Sequence, residues 1–230
     1  MAMLESAAML MCASALALGA RDPGMTVPVL NMTVTVGGCP IDLCSDTCGT
    51  LEPQPDGSFR YAGRYEPEGL PATSWDIRFD PDPFVFGQIV VSNAAAGPAD
   101  FVVVVSVPVQ FREPPSAMDY GGNVIGLLTD GNDDGAWVAA PSDGPLFTAL
   151  VDGAEAFTLL DAGYEATAPP FGTATVGPAG FGDPIPSTPG PLANSTLAIQ
   201  LRFVLSPGDT VAINGVFVGD AVPNDEEVQR

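Results

Sequence analysis

The stretch TDGNDDGAWV, Thr129 to Val138, places side-chain oxygens at Asp130, Asn132 and Asp134 and then a glycine at Gly135. Oxygen donors at alternate positions are what a hard cation asks of a loop. In a calcium loop, positions 1, 3 and 5 present oxygens, a glycine at 6 permits the sharp turn, and position 7, here Ala136, contributes its backbone carbonyl. Position 12 is Pro141 where an EF-hand carries a bidentate glutamate, and the flanks NVIGLL and AWVAA read as strands where an EF-hand has helices. The stretch is therefore not an EF-hand. Two readings stay open: a calcium (Ca2+) site at Asp130, Asn132, Asp134 and Ala136, its shell completed by a distant acid such as Asp143 or Asp119, or a solvated hairpin turn in which Asp and Gly serve only conformation.

A second cluster is GGCPIDLCSDTCG, with Cys39, Cys44 and Cys48. Cys-x4-Cys-x3-Cys is not a common zinc-knuckle spacing, and the chain has no histidine to complete a tetrahedral site. One disulfide among these three with an odd thiol left over is expected in an oxidising compartment; three reduced structural cysteines would suit the cytosol.

Composition excludes much else. All seven basic residues are arginines, and 28 Asp plus Glu leave a formal charge of -21. No basic patch can be assembled to displace counterions from phosphate, which argues against a nucleic-acid partner, and an anionic membrane surface would repel the chain. Without histidine or lysine there is no Ser-His-Asp or Cys-His mechanism and no Schiff base. A carboxylate-only hydrolase is compatible with the composition, as it asks only for paired acids. Asp76, Asp80 and Asp82 in WDIRFDPDPF read as turn formers before they read as catalytic acids. Trp75 and Trp137 read as strand residues of the core before sugar platforms.

The elements that must position these groups are strands. Turn residues recur every 8 to 15 residues or so, the rhythm of an all-β sandwich or barrel. TVPVLNMTVTV is rich in β-branched residues, and SWDIRFD alternates Trp75, Ile77 and Phe79 with polar neighbours. FVFGQIVVSN and FVVVVSVPVQF follow, with Pro108 predicting an edge position or a bulge. NVIGLLTD and AWVAA flank the acidic loop. LFTALVDGAEAFTLL turns at Asp152 and Gly153, and STLAIQLRFVLS and VAINGVFVG are joined by Pro207, Gly208 and Asp209. The expected fold is an antiparallel β-sandwich, jelly-roll or Ig-like, of about ten strands with long irregular loops. Leu51 to Gly69 reads as a loop holding one short strand, SFRYAGRY, and Thr167 to Pro191 as an irregular crossover that covers a sheet edge.

Residues 1–20 read as a signal-peptide-like leader, with the apolar run AAMLMCASALALGA, Cys12 within it, and small residues for cleavage at its end. Residues 21–220 are expected as one sandwich domain and 221–230 as an acidic polar tail. Asn31-Met32-Thr33 and Asn194-Ser195-Thr196 match glycosylation acceptors.

The order WDIRFDPDPFVFGQIVVSN, GGNVIGLLTDGNDDGAWV, LFTALVDG, APPFG and LAIQLRFVLSPGDTVAINGVFVGDAVP resembles exported bacterial proteins of the PEP-CTERM (exosortase-sorted) class, over Ser74 to Pro223. The resemblance implies an exported β-sandwich. In that class the last strand is followed by a Pro-Glu-Pro motif, a membrane helix and a basic tail; AVPNDEEVQR matches none of these, so anchoring is not carried over. The expectation is a secreted, non-enzymatic protein with a structural or adhesive role in an extracellular matrix or surface layer. It would meet a matrix polysaccharide or protein and have no membrane span in the mature chain. The alternative is an extracellular glycan-binding module or carboxylate-dependent glycosidase.

Overall fold

The computed structural model describes residues 28–67, 71–111 and 115–222. The leader-like segment and Cys12 lie outside these residues, as does all of the tail beyond residue 222. The fold is a β-sandwich of two eight-stranded sheets. The first runs β11 (Ala154–Leu159), β10 (Phe147–Val151), β15 (Thr196–Leu205), β7 (Ala99–Pro108), β1 (Asn31–Val36) and β2 (Cys39–Asp42). The short strands β9 (Ala136–Ala139) and β12 (Glu165–Ala168) extend it beside the end of β15. The second runs β13 (Thr173–Phe181), β8 (Met118–Thr129), β16 (Thr210–Ala221), β6 (Phe84–Ser92), β5 (Ala72–Asp80), β4 (Phe59–Tyr65) and β3 (Thr50–Pro53), with β14 (Thr188–Gly190) also on β8. Every pairing is antiparallel.

Alternation decides which face of each strand is inside. Thr73, Trp75, Ile77 and Phe79 of β5 are buried, as are Phe101, Val103, Val105 and Val107 of β7 and Val211, Ile213 and Phe217 of β16. A side chain of this size stabilises by about 1.5–3 kcal/mol on full burial, so the inward rows dominate the core. Phe101 and Phe203 stack across paired strands with centroids 5.3 Å apart. Phe157 on β11 meets Phe181 on β13 at 4.5 Å, joining the outer strand of one sheet to that of the other.

Sixteen strands among the described residues replace the ten expected, and the connections differ in kind. Thr167 to Pro191 is not irregular: it holds the end of β12, then β13 and β14, the last two laid along β8. A register shift between Val176 and Ala179 absorbs Gly177 and Pro178, so the proline does not interrupt the ladder. The edge of β8 is covered, as expected. Leu51 to Gly69 carries β4 together with most of β3. Pro108 is neither at an edge nor in a bulge: β7 is central, but β1 pairs only as far as Ser106, so no β1 carbonyl awaits the missing N–H. Asp152 and Gly153 form the β10–β11 hairpin turn as expected, both at positive φ.

Candidate metal centre

The acidic loop, which could have closed a hairpin, and the Pro207-Gly208-Asp209 turn both pass between the sheets. The acidic loop leaves β8 in the second sheet and enters β9 in the first, and residues 206–209 leave β15 in the first and enter β16 in the second. Residues 93–98, between β6 and β7, and 169–172, between β12 and β13, make the same crossing. A tight turn leaves open whether the strands it joins pair or separate; here the inward rows of both flanking strands need opposite sheets.

Main-chain and side-chain hydrogen bonds fasten the four crossovers together. Asn93 N donates to Asp209 O at 2.9 Å, and Gly208 N returns a bond to Asn93 O at 2.8 Å. Asn93 Nδ2 also donates to the Leu205 and Gly97 carbonyls. Asp130 N donates to Gly172 O at 3.0 Å, and Phe171 N donates to Asp130 Oδ2 at 2.5 Å. Gly131 N donates to Asp209 Oδ1 at 3.1 Å, and Asn132 Nδ2 to Pro207 O at 3.0 Å. Gly208, at φ +80, lies under the Asn132 side chain, whose amide nitrogen would be 2.7 Å from a Cβ there.

One carboxylate oxygen from each of Asp130, Asp134 and Asp209 falls within 4.8 Å of the others. Asp130 and Asp209 are buried, at 5% and 0% exposure, and Asp134 is exposed. Asp209 Oδ2 also bonds the Ser206 hydroxyl. Burial pushes the Asp130 pKa up, but the N–H groups of Phe171, Asn132 and Asp133, with a smaller contribution from the neighbouring Asp209 carboxyl, outweigh it and hold the carboxyl below its ordinary range. Asp130 Oδ1 is buried and has no hydrogen-bond partner. No arginine offsets the cluster among the described residues: Arg60 pairs with Glu52 and Asp76, Arg64 with Glu66, Arg78 with Asp56 and Arg202 with Asp143.

Of the expected ligands, Asp130 and Asp134 are brought together. The Asn132 amide is engaged instead, donating to Pro207 O and accepting from Asp134 N at 3.4 Å. Ala136 is buried at the start of β9, opposite Ala168. The distant acid is neither of the two expected: Asp143 is bound to Arg202, and Asp119 lies near the far end of β8. The acid that does lie beside Asp130 and Asp134 is Asp209, in the SPGDT turn. That turn was visible, but its neighbour was not, because only sheet pairing brings it to the acidic loop.

The other singled-out residues do structural work. Trp75 is buried over Gly63, whose Cβ position is 2.3 Å from its Cζ2, while Trp137 is half-buried on β9. Asp76 lies on β5 and forms a two-pronged pair with Arg60 at 2.8 and 2.6 Å. Asp80 accepts from Asp82 N at 3.0 Å, the turn expected there. Cys39 is exposed on β2 and Cys44 half-buried with its thiol 3.6 Å from Asn31 Oδ1, neither in a disulfide; Cys48 belongs to the core. Among the described residues no helix is long and apolar enough to cross a membrane. Against known proteins, the chain matches no family model and no curated sequence.

Proposed function

We propose that the protein is an exported, non-enzymatic β-sandwich with a structural or adhesive role in an extracellular matrix or surface layer, stabilised by calcium at its acidic loop. The observation that carries the reading is where the chemically conspicuous side chains are engaged. Trp75 fills the core, Asp76 holds Arg60, Asp152 holds the 194–196 segment, and Asp130 joins two crossovers. A groove of about 490 Å³ is lined by Val109, Gln110, Phe111, Pro115, Leu192, Ala193 and Asn194. A stiff, strongly acidic sandwich suits a matrix in which cations bridge anionic chains, and its partners there are a polysaccharide or another matrix protein.

Fractionation of the native host tests the reading. The mature chain is expected outside the cytoplasm, beginning between Leu18 and Arg21, and its deletion should weaken matrix cohesion. Abundant cytoplasmic protein retaining Met1 overturns export. The half-buried Trp137 favours a second reading, a glycan-binding module or glycosidase. Calorimetry and product release on a panel of polysaccharides separate the two. Hydrolysis abolished by a single Asp→Asn change would replace the structural reading with an enzyme.

A further inference from the structure

Only two buried side-chain polar atoms among the described residues lack a partner, Trp75 Nε1 and Asp130 Oδ1. The second faces a problem of sign as well as of hydrogen bonding. Asp130 is 95% removed from solvent, since its exposure is 5%, and it shares its surroundings with two further carboxylates and no basic side chain. Its Oδ2 takes the N–H groups of Asp133 and Phe171, at 3.1 and 2.5 Å, so the carboxylate is held in place with one oxygen left over. A buried acceptor without a donor is costly, and a bound ion or ordered water is what commonly completes one that a natural fold retains.

We infer that Asp130, Asp134 and Asp209 form a single calcium-type cation site that clasps the two sheets together. The inference rests on the calcium reading above and changes its ligand set: the second crossover supplies an acid, and Asn132 serves the loop. Oxygens bound to one calcium at 2.3–2.6 Å stand at most about 5 Å apart, and the three carboxylates already lie within 4.8 Å. Hard oxygen donors carrying several negative charges suit calcium better than a softer transition metal. The other candidate occupant of the space is a proton shared between Asp130 and Asp209, which would satisfy the same oxygen with no metal.

The placement gives the ion a mechanical role. Asp130 and Asp134 belong to the β8–β9 crossover and Asp209 to the β15–β16 crossover. Asp130 is bonded to the 169–172 crossover through Phe171 N and Gly172 O, and the Asp209 carbonyl to the 93–98 crossover through Asn93 N. An ion on three side chains therefore stiffens four connections, two of which supply no acid. Loss of the ion loosens one end of the sandwich and leaves the sheets themselves paired, a local opening rather than global unfolding.

The test uses metal-stripped protein. Calorimetric titration should show one calcium per chain with a dissociation constant of about 0.1–1 mM, as in extracellular sites. At ten times that concentration the melting temperature should rise by about 3–6 °C beyond a sodium chloride control of equal ionic strength. D134N removes an exposed carboxylate whose side chain holds no part of the fold, and should weaken binding about tenfold or more, as should D209N. D133N makes the same charge change in the same loop outside the cluster and should leave affinity within about threefold. Hydrogen exchange should slow on calcium addition at Asn93 and Phe171 as well as at Gly131. Unchanged affinity in both D134N and D209N overturns the clasp while leaving calcium binding by the protein intact. Absence of any calcium-specific heat or shift overturns the clasp and the calcium reading together, points to the shared proton, and leaves the export reading to fractionation. Calcium binding that slows exchange only within residues 130–135 also overturns the clasp.

Discussion

Asp152 and Asn194 are joined by three hydrogen bonds: Asn194 N donates to both carboxylate oxygens, at 3.1 and 2.9 Å, and Asn194 Nδ2 donates to Oδ2 at 3.0 Å. Ser195 N, Ser195 Oγ and Thr196 N complete the cradle on Oδ1. A hairpin turn thus anchors the segment that starts β15. Partial burial acts to raise the Asp152 pKa, but the N–H groups of Thr196, Ser195 and Asn194 and the Asn194 amide outweigh it and hold the carboxyl well below its ordinary range.

A depressed folded-state pKa makes a contribution present in full above the unfolded value of about 3.9 and lost as pH falls toward the folded value. Asp152 is exposed, so solvent screening limits the contribution to about 1–2 kcal/mol. Asp152→Asn keeps a residue tolerant of the φ of 51° while removing the charge. The variant should be less stable than the parent at pH 7, and the gap should close between about pH 4 and pH 2. Urea unfolding across that range measures it; a gap independent of pH would show that the charge plays no part.

Tyr120 gives the opposite end of the pH scale. Its ring is fully buried, its hydroxyl donates to Pro191 O at 2.5 Å, and burial followed by the Asp152 charge pushes its pKa up to about 12. The fold favours the neutral phenol, so its contribution is complete below the unfolded value of about 10 and declines as pH rises toward 12. Ultraviolet titration should show a late phenol ionisation accompanied by loss of structure, and Tyr120→Phe should remove its share of that late step. Near neutral pH the variant should lose about 0.5–1.5 kcal/mol through the missing hydrogen bond.

Gly63 and Trp75 test packing without charge. They are paired across β4 and β5, and the indole covers the place a Cβ would occupy, 2.3 Å from Cζ2. Gly63→Ala must displace a ring that is 4% exposed, at an expected loss of about 1–3 kcal/mol. In Gly63→Ala with Trp75→Phe the smaller ring leaves room, so the two changes together should cost less than their sum. Thermal unfolding of the four proteins gives the coupling; strict additivity would place the clash elsewhere.

Much of this was written locally in the chain. Trp75, Ile77 and Phe79 announce a half-buried strand by alternation alone, and Asp152-Gly153 announces a hairpin by its tolerance of positive φ. What local chemistry does not encode is whether the strands on either side of a turn become neighbours. Pro207-Gly208-Asp209 reverses the chain equally well into a hairpin or across to the other sheet, and the choice falls to the inward rows of β15 and β16. For the same reason Asp130 and Asp134 were legible as candidate ligands while Asp209 was not. The strand β13 was hidden by Gly177 and Pro178, whose effect on the ladder depends on the bulge that receives them.

Ser206 probes the joint between the sheets independently of any ion. Its hydroxyl oxygen accepts from Trp137 N at 2.8 Å and lies 2.9 Å from Trp137 O, while also contacting Asp209 Oδ2, and the residue is 2% exposed. A single hydroxyl proton serves either the Trp137 carbonyl or the Asp209 carboxylate, and the lone pairs receive the Trp137 N–H. Ser206→Ala leaves the Trp137 N–H and an Asp209 oxygen without this partner at a buried site. The expected loss is about 1–3 kcal/mol, measured by urea unfolding in chelator so that calcium does not contribute. Asp209→Asn should lose a comparable amount by disturbing the bond from Gly131 N. Because both changes strike one hydrogen-bonded unit, the double variant should lose markedly less than the sum of the two. Additive losses would mean that Ser206 serves only β9 and is not coupled to Asp209.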